Sequence, residues 1–239
     1  MDNAFYTTLN RQSGLMYEMR AVANNIANLS TTGFRKEGVI FAEHVAEMED
    51  AEPSLSMAAA SGRVINLQQG PLTETNGAFD FAIEGEGFFL VDTPEGHQLT
   101  RAGAFTPSPE GELVTPEGYR LLDLGGAPIF VPPLGGKVSL SGDGTLSADG
   151  LPIAQIGLYA PIDPIGLTHR GGTRFAAEGG VEPVEGGTIL QGFLENSNVN
   201  PVEEIARMIE VQRAYELGQK FLDSEDERIR SVVQTLGSR

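Results

Sequence analysis

Apolar positions recur at helical spacing at both ends of the chain. Near the start, Phe5, Leu9, Gln12, Met16, Met19, Ala23 and Ile26 alternate in steps of four and three. That is a heptad seam with one polar member. Leu15, Val22 and Leu29 widen its stripe, and Asp2 or Asn3 is placed to cap its start. The run Ser30-Thr31-Thr32-Gly33 predicts where the helix or its following turn stops. Near the end, Asn200 precedes Pro201 and Glu203 follows three residues after Asn200, a variant capping box with proline at the first helical position. Glu203 and Glu204 set negative charge at the positive end of the helix dipole. Met208, Val211, Tyr215, Leu222, Ile229, Val232 and Leu236 make a second heptad seam, weakened at Gly218 and Glu225 and closed by Gly237. About 35 helical residues give a rod on the order of 50 Å long.

The stretch between has a different period. Phe79-Asp80-Phe81-Ala82-Ile83 alternates, and Phe88-Phe89-Leu90-Val91 is a short apolar run. Turn signals punctuate it at Glu95-Gly96, Glu110-Gly111, Glu117-Gly118, Gly142-Asp143-Gly144 and Asp149-Gly150. The expected fold class is therefore α+β: long N- and C-terminal helices forming an antiparallel coiled-coil pair, with a central antiparallel β-rich domain, a barrel or a sandwich. The expected division is a helix over 1–36, a connector of open structure over 37–75, a β-rich domain over 76–192 and a helix over 193–239.

Composition narrows the function. The net charge is −17, and the 37–197 stretch carries essentially all of it, since Arg11, Arg20, Arg35 and Lys36 outnumber Asp2 and Glu18 at the start. An acidic middle disfavours nucleic acid and anionic membrane, whose phosphates need clustered Lys and Arg. No run approaches about 18 uncharged apolar residues, so no membrane insertion is expected. The first residues show no basic segment followed by an apolar one, so a cleaved signal peptide is not expected either. The chain has no cysteine, so disulfide chemistry plays no part in it.

Catalytic chemistry finds little support. His44, His97 and His169 share no metal-ligand spacing. Gly85-Glu86-Gly87 lacks the third glycine and following helix of a phosphate loop, and reads as a turn feeding Phe88-Phe89. Asp143 and Asp149 lack the ligand order of a calcium loop and read as turn residues. No catalytic, cofactor-binding or metal-binding residue is assigned, and no cofactor is expected. The more informative cluster is Asn24, Asn25 and Asn28, three poor helix formers inside a helical pattern. They face water near a fraying end, or their amides set register against neighbouring chains as buried Asn does in coiled coils. Gln212 and Arg213 are the matching polar groups on the second helix.

Several of these segments resemble the bacterial flagellar rod and hook family. The resemblance rests on Ala23-Asn24-Asn25-Ile26-Ala27-Asn28 with Thr31-Thr32-Gly33-Phe34, and on Gly85-Glu86-Gly87-Phe88-Phe89. It rests also on Thr100-Arg101-Ala102-Gly103-Ala104-Phe105 and Gly111-Glu112-Leu113-Val114-Thr115-Pro116-Glu117-Gly118-Tyr119. The end is similar too, from Glu195-Asn196-Ser197-Asn198-Val199-Asn200-Pro201 through Met208-Ile209-Glu210-Val211-Gln212-Arg213-Ala214-Tyr215-Glu216. The opening Asn3-Ala4-Phe5-Tyr6-Thr7-Thr8-Leu9 looks most like the proximal-rod members of the F type.

The resemblance implies a structural subunit of the basal body's periplasmic rod, not an enzyme. It implies export by the flagellum's own apparatus and assembly through the terminal helices into a hollow shaft that transmits torque and houses the export channel. The implied partners are other rod proteins, proximal and distal, with the motor base and surrounding periplasmic ring as further candidates. The alternatives are a distal-rod (G type) paralogue and a ring- or wall-binding adaptor. The expected assembly residues are Phe5, Leu9, Met16, Met19, Asn24, Asn25 and Asn28 on the first helix. On the second they are Met208, Val211, Gln212, Arg213, Tyr215, Leu222, Ile229, Val232 and Leu236.

Overall fold

The computed structural model describes residues 2–46, 55–132, 137–184 and 186–237. The chain forms two compact units. The first comprises Met1–Ala27, Glu37–Val64 and Asn200–Arg239; the second comprises Asn28–Lys36 and Ile65–Val199.

The first unit holds helix α1 (Asp2–Ala27), the paired strands β1 (Glu37–Ala46) and β2 (Leu55–Ile65), and helix α2 (Pro201–Gly237). The start of α2 follows from local chemistry. Asn200 Oδ1 accepts from the Val202 and Glu203 amides, and Asn200 Nδ2 donates to Glu203 Oε1 at 3.1 Å. Pro201 sits where its missing N–H costs nothing. Strands β1 and β2 fall in a stretch whose sequence shows no clean period.

The N- and C-terminal helices and a strand-rich unit are present, but the expected antiparallel coiled-coil pair is not. A coiled coil interlocks apolar seams from both helices. Here α1 turns its Glu18, Val22 and Asn25 side inward, while Leu9 and Met16, about half a turn away, remain 41% and 37% exposed. Met19 and Ile26 are half-buried and Ala23 is exposed; the Phe5 side chain lies outside the described residues. On α2, Glu204 and Val211 are buried, yet Ile229, Val232 and Leu236 are exposed. At Gly218 the helices approach closely, since a Cβ there would stand 2.4 Å from Gln12 Nε2, and beside it an open groove of about 370 Å³ is lined by Thr8, Leu15, Leu217 and Phe221. The physical reason is polar. Once Glu18, Asn25 and Glu204 are buried they must find hydrogen-bond partners, and those partners, not the apolar seam, set which faces meet.

The second unit is built of short antiparallel strands. Strands β3 (Leu72–Glu74), β4 (Phe81–Glu84), β5 (Phe89–Thr93) and β6 (Gly96–Thr100) come first in the chain. The hairpin β5–β6 pairs Thr93 with Gly96, and Gly96 takes a φ of +104° that glycine adopts freely. This hairpin is central to a seven-stranded sheet. Beyond β6 lie Arg174–Ala177 and Leu167–His169; beyond β5 lie Arg120–Leu121, Leu113–Val114 and Thr106–Pro107. Successive side chains of a strand point to opposite faces. Phe89 and Val91 therefore enter a core with Phe81, Ile83, Phe105 and Leu121. Phe88 and Leu90 enter another with Leu99, Tyr159 and Phe175. The unbroken apolar run at 88–91 is the mark of a strand covered on both faces.

Asp143 and Asp149 serve turns. Asp143 accepts from the Thr145 amide and hydroxyl, which hold its carboxyl below the usual range, and Asp149 accepts from the Lys137 amide.

Candidate functional site

Two polar arrangements stand out, one in each unit. In the first unit, the α1–α2 contact is fastened at three levels. Asn25 Nδ2 donates to Glu37 O at 2.9 Å and to Glu204 Oε2 at 3.0 Å, while Asn25 Oδ1 accepts from the Glu37 amide at 2.9 Å. Asn25 is 1% exposed and Glu204 is 2% exposed, so this amide ties α1 to β1 and α2 in a dry setting. Further along, Arg207 is ion-paired with Glu18 and with Glu210. Burial acts to lower the Arg207 pKa, but hydrogen bonds to Glu18 and Glu210 outweigh it and raise the pKa. Gln12 Nε2 then donates to the Tyr215 carbonyl at 2.9 Å. The two helices thus run in opposite directions across a polar contact.

The Asn cluster divides. Asn25 is spent on its own chain. Asn28 is half-buried and accepts from Thr31 Oγ1 at 3.0 Å, and Asn24 is half-buried. Gln212 and Arg213 are exposed on α2; Met208, Tyr215 and Leu222 are half-buried. Asn25→Ala leaves the Glu204 carboxylate and the Glu37 backbone buried without this amide. It is expected to cost about 2–3 kcal/mol, read as faster amide hydrogen exchange around Glu204 and a lower thermal midpoint. Unchanged exchange there would show that the amide is not what fastens α1.

In the second unit, three buried charges meet. Glu195 is ion-paired with Arg35 Nη2 at 2.9 Å and accepts from Arg101 Nη1 at 3.0 Å, and all three side chains are at most 3% exposed. Local structure sets them there. Pairing of Phe193–Glu195 with β3 brings Glu195 opposite Leu72, and the Gly70 amide donates to Glu195 Oε1 at 2.8 Å. The Gly33 amide donates to the Glu195 carbonyl at 2.7 Å. Gly33 takes a φ of +72°, and a Cβ there would stand 2.2 Å from the Ala102 amide nitrogen, so only glycine lets this segment close onto Arg101. Arg101 also donates to the Gly85 carbonyl at 2.7 Å and lies 5.3 Å from the Phe88 ring centroid. Arg35 donates to the Gln68 carbonyl.

Burial pushes the Arg35 pKa down to about 10, opposed by the charge of Glu195 and aided by that of Arg101. Burial likewise lowers Arg101, against the charge and hydrogen bond of Glu195. A guanidinium with a pKa near 10 is still charged at neutral pH, so two cations share one anion.

Neither arrangement is built for bond-making. Both arginines and the glutamate point at one another or at carbonyls. His97 is exposed and His169 packs its ring between Phe34 and Phe175, at centroid distances of 5.5 and 4.4 Å; the His44 side chain lies outside the described residues. Among the described residues no three His, Cys, Asp or Glu side chains gather as a metal site. Also among them, no helix is long and apolar enough to cross a membrane. Sequence reasoning missed Glu18, Glu204, Arg35, Arg101 and Glu195. The signal for Glu18 and Asn25 is their seven-residue spacing, which sets two polar groups on one helical face. For Arg101 and Glu195 it is their place inside the motifs that carry the family resemblance.

Three family profiles match the chain. "Flagella basal body rod protein" covers residues 5–35, "Flagellar hook protein FlgE/F/G D1 domain" covers 82–148, and "Flagellar basal body rod FlgEFG protein C-terminal" covers 190–235. The chain is similar to flagellar basal-body rod protein FlgF of Caulobacter vibrioides, with 41% identity over 247 residues and 99% of each chain covered. It is similar to FlgF of Mesorhizobium japonicum at 37% identity, over the whole of both chains. Its identity to the rod protein FlgG of Bacillus subtilis is 29%, over 98% of each.

Proposed function

The chain belongs to the flagellar basal-body rod protein family, F type, as a structural subunit of the proximal rod and not an enzyme, and on that premise we propose that its terminal helices are the surface by which it assembles. It assembles with other flagellar rod proteins. The observation that carries the proposal is that α1 and α2 hold each other by polar bonds and leave apolar side chains uncovered: Leu9 and Met16 on one, Ile229, Val232 and Leu236 on the other. Uncovered apolar surface in a structural subunit is surface awaiting a neighbour. Its burial supplies about 25 cal/mol per Å², against the entropy of ordering.

On this reading Leu9, Met16, Met19, Met208, Gln212, Arg213, Ile229, Val232 and Leu236 contact neighbours, and the strand-rich unit serves as the outer body. The assembled tube is the hollow shaft through which export proceeds, and torque passes as shear over many interfaces with no reaction at any residue. The export apparatus, the motor base and the surrounding ring are its further partners. The higher identity to F-type than to G-type relatives favours the proximal over the distal rod.

The test is complementation of cells lacking their own copy with a chain carrying Met16→Asp and Leu236→Asp. Both sites are exposed, so the isolated chain is expected to keep its stability to within about 0.5 kcal/mol per site. It is expected to be missing from purified basal bodies and to leave cells non-motile. Normal incorporation and motility would overturn the proposal.

A further inference from the structure

Beside the buried charges of the second unit lies an open hollow of about 530 Å³, the size of pockets that hold small ligands. Arg101 forms part of its wall, with Leu67, Gly87, Phe88, Pro161 and Pro164. The walls are held in place. Gln69 Nε2 donates to the Ile83 carbonyl at 2.8 Å, and Gln69 Oε1 accepts from the Gly85 amide at 3.1 Å. Arg101 Nη2 holds the Gly85 carbonyl at 2.7 Å. Phe88 is 4% exposed, and the proline rings have no rotamers to lose. A ligand entering here therefore meets surfaces that need little ordering. Leu67, 40% exposed, adds uncovered apolar area to the wall.

The polar side of the hollow is short of acceptors and of negative charge. Arg35 and Arg101 share Glu195, and the Nε–H of each arginine is buried with no hydrogen-bond partner in the protein. Unpaired buried donors are costly, so an acceptor that reaches them is favoured. Glu86 is the one other charged residue of the wall; it is exposed, and its charge is felt at Arg101. Water screens an exposed charge more than a buried one, so Glu86 offsets the buried excess only in part. We infer that this hollow binds a small organic acid, its carboxylate against Arg101 and its apolar body against Leu67, Phe88 and the two prolines. The apolar walls favour an organic acid over an inorganic anion, and the shared cations favour it over an amine. Glu86 opposes the bound carboxylate and so limits its affinity. The site lies wholly within the second unit and does not depend on the assembly role of the helices.

The probe is phenylacetate, titrated into the full-length chain and followed by ligand-observed NMR. Phenylacetamide, phenethylammonium and inorganic phosphate are titrated beside it. Phenylacetate is expected to saturate a single site with a Kd on the order of 1 mM, and each of the others to bind at least about tenfold more weakly. Two exposed positions locate the site without touching the buried cluster. Glu86→Gln removes the opposing carboxylate and is expected to tighten phenylacetate several-fold. Leu67→Glu adds a carboxylate to the wall and is expected to abolish binding. The thermal midpoints of both variants are expected to match the unsubstituted chain. A free acid and the end of a peptide share this chemistry, and N-acetyl-alanylphenylalanine tells them apart. Tighter binding than phenylacetate assigns the site to a peptide end and weaker binding to a free acid, and either supports it. Equal binding of the amide or of phosphate, or tighter binding of the ammonium, would overturn the inference. So would phenylacetate binding that neither substitution changes, or no saturable binding up to about 10 mM.

Discussion

A chain trimmed to residues 28–199 is expected to stay folded and to lose all concentration-dependent association. The trim removes α1 and α2, and with them every apolar face proposed for assembly. It leaves the second unit entire, because that unit begins at Asn28 and ends at Val199. The position of the cut matters. Phe34 is 1% exposed and stacks on His169, and Arg35 is fully buried against Glu195. A chain trimmed to 37–199 drops both. Loss of one buried phenylalanine costs about 3–5 kcal/mol, and loss of a guanidinium from a buried cluster adds to it. The shorter chain is therefore expected to unfold at a much lower urea concentration, or to fail to fold. Sedimentation velocity over a range of concentrations reads the first effect, and urea midpoints of the two chains read the second. Association of the 28–199 chain would remove the helices from the assembly role. Equal midpoints would remove residues 28–36 from the core.

Glu195→Gln is expected to be the most damaging single substitution in the second unit. It leaves Arg35 and Arg101 facing each other, both buried and both charged. Breaking a buried pair by removing one partner costs about 3–5 kcal/mol. Arg35→Met is expected to cost less. It removes one of two cations and leaves Glu195 and Arg101 as a neutral pair, and the methionine chain can occupy the space of the guanidinium stem. The predicted order is thus Glu195→Gln well below Arg35→Met in stability, although both remove one member of the same cluster. Thermal or urea unfolding of the purified variants settles the order. The effect is expected to persist at high salt, because buried charges are screened far less than exposed ones. If Arg35→Met proves the more damaging of the two, the excess positive charge is not what governs this cluster.

The cluster has a structural consequence as well. It joins residues that are distant in sequence: the segment just after α1, the residue that follows β6 and the last strand before α2. Glu195 lies six residues before Pro201, where α2 begins, and Arg35 lies eight residues after Ala27, where α1 ends.

Much of this was legible in the residues. The cap at Asn200-Pro201, the turn glycines and the doubly covered strand at Phe88–Val91 follow from local rules about φ, hydrogen-bond donors and side-chain alternation, which act over a few residues. The motifs at both ends and in the middle sufficed for the family. What periodicity could not decide was which face of each helix packs. A heptad of Leu9, Met16, Ala23 and their partners states only that an apolar stripe exists. Whether that stripe meets the same chain or another depends on whether something else claims the inner face. Here Glu18, Asn25 and Glu204 claim it, because a buried carboxylate or amide loses more by going unpaired than a methionine loses by facing water. The Arg35–Glu195–Arg101 cluster was hidden for a related reason: its members are separated by most of the chain, and only strand pairing at Leu72–Glu195 and the close approach at Gly33 bring them together. The sequence by itself determined the two terminal helices, the cap at Asn200, the strand-rich region between them and the family; the β1–β2 pair, in a stretch without a clean period, was not legible in it. The tertiary structure alone decided which polar groups are buried, and so which apolar faces remain exposed.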